Sequence, residues 1–222
     1  TWSKRAVYSS TAASPRDFTS AMALARLAPS VPNRASPARV VMKVAGKAMN
    51  TAAVAGLSTD QMAALTSAQV GILTSTQVAQ MDSAQIAAIE TTDVSSLNTL
   101  AIRGLSTAAV AGMTTDQIVA LGTNQVAAML STRVQALTSA QIAALESSDL
   151  AAMNTAQFSV LNTMQAAGLE TTDISEIRTL NVRALSTDAI AALDTQQIAA
   201  LGTNQVAVLL TRQTSALSTS QI

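Results

Sequence analysis

Leu137-Thr138-Ser139-Ala140-Gln141-Ile142-Ala143-Ala144 is followed at once by Leu145, and the pattern begins again. Stepping by eight from Leu137 meets Met129, Leu121 and Met113 going backwards, and Leu145, Met153 and Leu161 going forwards. From Leu57 to Leu217 all twenty-one residues met in this way are Leu, Ile or Met. The third position is Ser or Thr in every unit, from Thr59 to Thr219. The sixth is a large apolar residue, from Met62 to Ile222, except at Ala166 and Thr214. The fifth is Gln in thirteen units, and the seventh and eighth are mostly Ala. A short period held this strictly is the signature of a repeat architecture.

A longer period lies on top of the octad. Glu170-Thr171-Thr172-Asp173-Ile174 echoes Glu90-Thr91-Thr92-Asp93-Val94, and Leu201-Gly202-Thr203-Asn204-Gln205 returns Leu121-Gly122-Thr123-Asn124-Gln125. Both offsets are eighty residues, or ten octads, which points to duplication of a block.

The octad cannot be one continuous helix with a fixed apolar face. Eight residues at about 100° each rotate the Leu stripe by roughly 80° per unit, so it would circle the rod. The frequent hydroxyls also compete for backbone groups in a helix interior. Each unit instead carries its own start signal. With Ser58 as cap, Gln61 falls at the third helical position, which is a Ser/Thr-x-x-Gln capping box. Thr114 with Gln117 and Thr138 with Gln141 repeat it, and Ser106 offers the same hydroxyl start. The strict third-position hydroxyl is either the real cap or a buried group bonding to a neighbouring backbone. Helices of five or six residues do not form alone in water, so they must lean on one another through positions one and six, with Ala at seven and eight allowing close approach. The expected fold is an all-α solenoid, a right-handed or mixed superhelix with one short capped helix per octad. The alternative is a β-solenoid with stacked hydroxyls, since Thr, Ile and Val suit strands. Against it, five glycines follow residue 100 and no proline follows Pro37, whereas β-corners usually want such residues.

Composition agrees with a thin core. Trp2, Tyr8, Phe18 and Phe158 are all the aromatics in 222 residues, and three of them precede residue 20. Net charge is zero, but residues 1–48 carry eight basic residues and one acid, whereas the remainder has five arginines, twelve acids and no Lys. All four prolines lie in the basic segment. Residues 1–48 therefore read as a disordered or loosely ordered segment; upstream sequence ahead of a true start at Met42 and an organellar transit peptide are two further readings of it. Residues 49–222 read as the octad solenoid, stopping in mid-repeat. No apolar run reaches the length of a membrane span.

Chemistry-bearing residues are few. There is no Cys and no His, and without His, or Lys after Lys47, no base is at hand to activate the Ser/Thr column. Catalytic, cofactor-binding and metal-ligating residues are accordingly expected to be absent. The most tempting cluster is Glu-(Ser/Thr)-(Ser/Thr)-Asp at Glu90–Asp93, Glu146–Asp149 and Glu170–Asp173. Paired carboxylates can serve calcium, but acids at positions two and five also suit a helix start, and the capping role is preferred. Arg103, Arg133, Arg178, Arg183 and Arg212 are read as surface salt-bridge partners, because twelve acids surround them and phosphate binding needs concentrated positive charge. Met81, Met113, Met129 and Met153 are read as core fillers in place of Leu.

The run Leu137–Leu145 resembles the octapeptide-repeat tracts of large secreted or surface proteins of Gram-negative bacteria. The resemblance covers residues 57–222 and implies an elongated, non-enzymatic spacer or adhesin-like stalk, secreted or on the cell surface, with a cytoplasmic location as the alternative. Protein–protein contact or self-association fits such a module; nucleic acid and small-molecule substrates do not. A ligand-binding, calcium-binding or protein-interaction module using the solenoid face is the alternative function. Ala101, Ala109, Arg133 and Ala189 stand where Gln is expected, which implies that the fold tolerates its loss.

Overall fold

Thr138 has extended backbone (φ −74°, ψ 163°), and helix Ser139–Ala143 begins immediately after it. The Thr138 hydroxyl accepts from the Gln141 N–H at 3.1 Å, and Gln141 Oε1 accepts from the Thr138 N–H at 2.8 Å. The helix closes as the Ala144 N–H reaches the Ala140 carbonyl and the Leu145 N–H turns back to Ile142. Ala144 sits at φ −84°, ψ −8°, a conformation open to any residue. The corner therefore needs neither Gly nor Pro, which is why both are scarce in the array.

The structure, a computed structural model, describes residues 50–222. The readings placed on residues 1–48 lie outside the described residues. Within residues 50–222 the same unit recurs twenty-one times, from α1 (Thr51–Ala55) to α21 (Thr211–Thr214), in helices of four to six residues. No residue among those described is in a strand, which overturns the β-solenoid alternative. The cap is the second position of the octad. The strict third-position hydroxyl is the first helical residue, and most of these residues are exposed. A short polar side chain there leaves the outer face wet and the helix start uncrowded.

Each helix packs against the helix three further on. Ser75–Val78, Thr99–Gly104, Thr123–Ala128, Ser147–Ala152, Thr171–Glu176 and Thr195–Ala199 form one column, and two more columns run beside it with the same offset. Three octads thus make one superhelical turn, and the result is a three-sided prism of about seven turns. With helix axes roughly 8–10 Å apart where they pack, the stack is on the order of 50–60 Å long.

Positions one and six face the prism interior. Leu137, Ile142, Leu145 and Leu150 are all at most 4% exposed, and so are the four methionines expected to fill the core in place of Leu. Positions two to four face outward. Burying an aliphatic side chain of this size contributes about 1.5–3 kcal/mol, so the stacking, not local propensity, holds these short helices.

Position eight of one octad meets position three of the octad one turn earlier. At Gly104 an added Cβ would sit 2.5 Å from the Ser75 carbonyl oxygen and 2.6 Å from its Cα. Both are backbone atoms and neither can rotate away. Gly104→Ala is therefore expected to destabilise the array by about 1–3 kcal/mol through overpacking. A thermal midpoint equal to that of the unsubstituted protein would show that the columns are looser than this.

Candidate functional site

Every buried polar residue among those described occupies the fifth position: Gln85, Gln117, Gln141, Asp93, Asp149 and Asn181 are examples. This is the one internal column with hydrogen-bonding chemistry. Gln141 shows what it does. Its Oε1 takes the cap N–H of its own helix, while Nε2 reaches back one turn to the carbonyls of Val110 (3.0 Å), Ala111 (3.3 Å) and Met113 (2.7 Å). Val110 and Ala111 close a short helix and Met113 follows its cap, where carbonyls run out of intrahelical donors. One amide thus closes the start of one helix and the end of another. Gln85, Gln117, Gln125, Gln157, Gln165, Gln197, Gln205 and Gln213 repeat the bond to the carbonyl 28 residues back at 2.6–2.8 Å. The column is a ladder that ties turn to turn.

The capping box was legible in sequence; the ladder was not. The signal was the persistence of an amide at a single position when Glu would cap a helix as well. Three departures from Gln keep the donor by other means. Asn181 Nδ2 donates to the Met153 carbonyl at 2.8 Å, and Arg133 Nε donates to the Leu105 carbonyl at 2.7 Å. Opposite Ala101, the cap residue Asn98 reaches Leu73 at 2.9 Å and Gly71 at 3.1 Å. The expected surface salt bridging is corrected here for two of the five arginines: Arg133 and Arg178 turn to backbone carbonyls, the latter to Met153. A guanidinium supplies the same N–H donor as the missing amide, and the carbonyls need it more than a solvated carboxylate does.

The carboxylate pairs are the exception to this chemistry. Glu90, Glu146 and Glu170 occupy the cap position with exposed side chains that make no capping bond. Asp93, Asp149 and Asp173 take the place of Gln and are buried in the first helical turn. They lie where a helix start favours negative charge, as read from the sequence, but inside the prism. The pairs at residues 146 and 170 lie on consecutive turns of one column, and the pair at residue 90 belongs to another. Each Asp takes a hydrogen bond from the third-position hydroxyl one turn back: Ser67 to Asp93, Thr123 to Asp149, and Ser147 to Asp173 at 2.5 Å.

Asp149 differs in one respect. Its Oδ2 is fully buried and has no hydrogen-bond partner. Burial pushes its carboxyl pKa up, and the neighbouring Glu146 carboxylate pushes the same way, while the Thr123 hydroxyl and the Glu146 backbone N–H pull it down. Among the described residues no three acids gather in the way a metal ion would need. No helix among the described residues is long and apolar enough to cross a membrane.

The fold and its internal column define a class: an all-α solenoid of capped octads, cross-tied by side-chain amides. The ALTTAQ repeat family model matches residues 47–75, 86–123, 142–179 and 166–203, together more than half of the chain. The chain belongs to the ALTTAQ repeat family, and Ala64-Leu65-Thr66-Ser67-Ala68-Gln69, within the first match, differs from that motif only in Ser for the second Thr. No curated protein and no solved structure matches it.

Proposed function

We propose that this chain is a non-enzymatic repeat scaffold, a stiff spacer that sets a distance between whatever it joins, in a secreted or surface protein with an adhesin-like build. The observation that carries the reading is the recurring amide ladder, interrupted where Asp, Ala or Arg stands in place of Gln. It fixes each turn to the one before through the backbone itself, so bending the prism means breaking hydrogen bonds in its interior. The resemblance of the octads to tracts in bacterial surface proteins supports the location and the adhesive context. The outward positions are mostly small and hydroxylic, which suits a solvated shaft.

A spacer of this kind must change length in whole turns. Deleting residues 129–152 removes three octads and rejoins each column in register, because the octad at Met153 takes the place of that at Met129. Small-angle scattering should then show a rod shorter by one helix spacing, roughly 8–10 Å, with the same cross-section and a cooperative unfolding transition. Deleting one octad alone shifts every partner by a column. A deletion of 24 residues that collapses the rod or changes its thickness would count against the spacer reading.

A further inference from the structure

We propose that Asp149 carries a proton in the folded array and donates it from Oδ2 to the backbone of the turn before, so that this one joint of the prism tightens in mild acid. At the fifth position one side-chain atom accepts from the cap N–H and the other must donate to carbonyls. Asp149 fills the first role as Gln does, accepting from the Glu146 backbone N–H, with the Thr123 hydroxyl as an added donor. Its Oδ2, the oxygen left for the second role, is buried and without a partner. The carbonyl 28 residues back, which each well-formed rung uses, is that of Leu121. An ionised carboxylate has no proton to give to that carbonyl, whereas a carboxylic acid O–H can make the bond that the ladder requires.

The chain contains its own comparison. Asn181 occupies the same position, has the same length as Asp, and reaches the Met153 carbonyl directly at 2.8 Å. A side chain of this length therefore leaves no gap for an ion between itself and the carbonyl, and a proton is the species that fits. The charges around Asp149 favour it too. Helix Thr123–Ala128 below has no titratable residue, and helix Thr171–Glu176 above brings Asp173 and Glu176, with Glu170 at its cap. Glu146 is the neighbour on its own helix, and the guanidinium of Arg178 meets the Met153 carbonyl at the far end of that helix, so acids outnumber the one cation around Asp149.

An acid whose folded pKa lies above its unfolded value binds the proton more tightly when folded. Its contribution to stability is complete below the unfolded carboxylate range, about pH 4. It is lost as pH rises through the folded value. The test compares the full chain with Asp149→Asn by thermal unfolding between about pH 4 and about pH 8. Asn is a permanent donor, so the variant should melt higher at neutral pH by a few degrees, about 2–4 °C for a chain of this size. The gap should close as the solution is acidified. Titration of the Asp149 carboxyl carbon by NMR in the unsubstituted protein should show a midpoint above that of an ordinary Asp. A variant no more stable at neutral pH, a gap that does not change with pH, or an ordinary carboxyl midpoint would overturn the proposal. So would calcium chloride alone raising the melting point of the unsubstituted protein, and not that of the variant, since Asp149 would then be serving a cation.

Discussion

Replacing Gln141 by Leu is expected to cost about 2–5 kcal/mol, although the two side chains are similar in size and both suit a helix. The cost is that of buried backbone groups left unmade. Without the amide, the Thr138 N–H loses its acceptor and the Met113 carbonyl its donor, while the Val110 carbonyl keeps the Met113 N–H at 3.2 Å. A buried polar group deprived of its partner costs about 1–3 kcal/mol, and both ends of this rung lose theirs. A chain of this size should lose roughly 5–15 °C in melting temperature. Because each turn rests only on its neighbours, unfolding should also become less cooperative, with the two halves of the prism melting separately. Gln141→Asn keeps a donor of the kind Asn181 supplies and should recover part of the loss. If Gln141→Leu shifts the midpoint by no more than a surface substitution does, the turns are joined by apolar packing alone.

Phe158→Ala should be comparably severe for a different reason. Phe158 is the one aromatic ring in the array and is fully buried. Truncating such a ring costs about 3–5 kcal/mol, part of it from the cavity left behind. The next octad carries Ala166 at the same sixth position, where nearly every other unit has a large residue, and Ala166 too is fully buried. Phe158 and Ala166 stand at successive sixth positions of one continuous core, and the surplus of one is expected to offset the deficit of the other. Ala166→Leu added to Phe158→Ala should therefore restore part of the stability, while Ala166→Leu alone should destabilise through overpacking. A double substitution equal to the sum of the two singles would mean that the residues do not share one space.

The pattern of exceptions illustrates how the array tolerates change. The sequence shows Ala101 and Arg133 as breaks in the Gln column and suggests that Gln is dispensable. In the folded chain the donor persists at these two places, supplied by Asn98 in one case and by the guanidinium in the other. Asp149 has neither an amide nor a stand-in, and it alone among the described residues leaves a buried side-chain oxygen without a hydrogen-bond partner.

Much of this protein is written locally. Helix starts, helix length, the apolar positions and the exclusion of a continuous rod all follow from relations within eight residues, such as Ser58 with Gln61 or Leu137 with Ile142. Backbone capping and side-chain size act over that range, so the sequence alone determines them. Three helices per turn, the meeting of Gly104 with Ser75, and the bond from Gln141 to Met113 were decided only by the tertiary structure. Those relations span 24 to 29 residues in a sequence that looks the same at every eighth step, so no period in it distinguishes the partner one turn away from the partner two octads away. Only the angle at which one corner hands the chain to the next helix sets which carbonyl lies above which amide, and that angle comes from the packing of all three columns together.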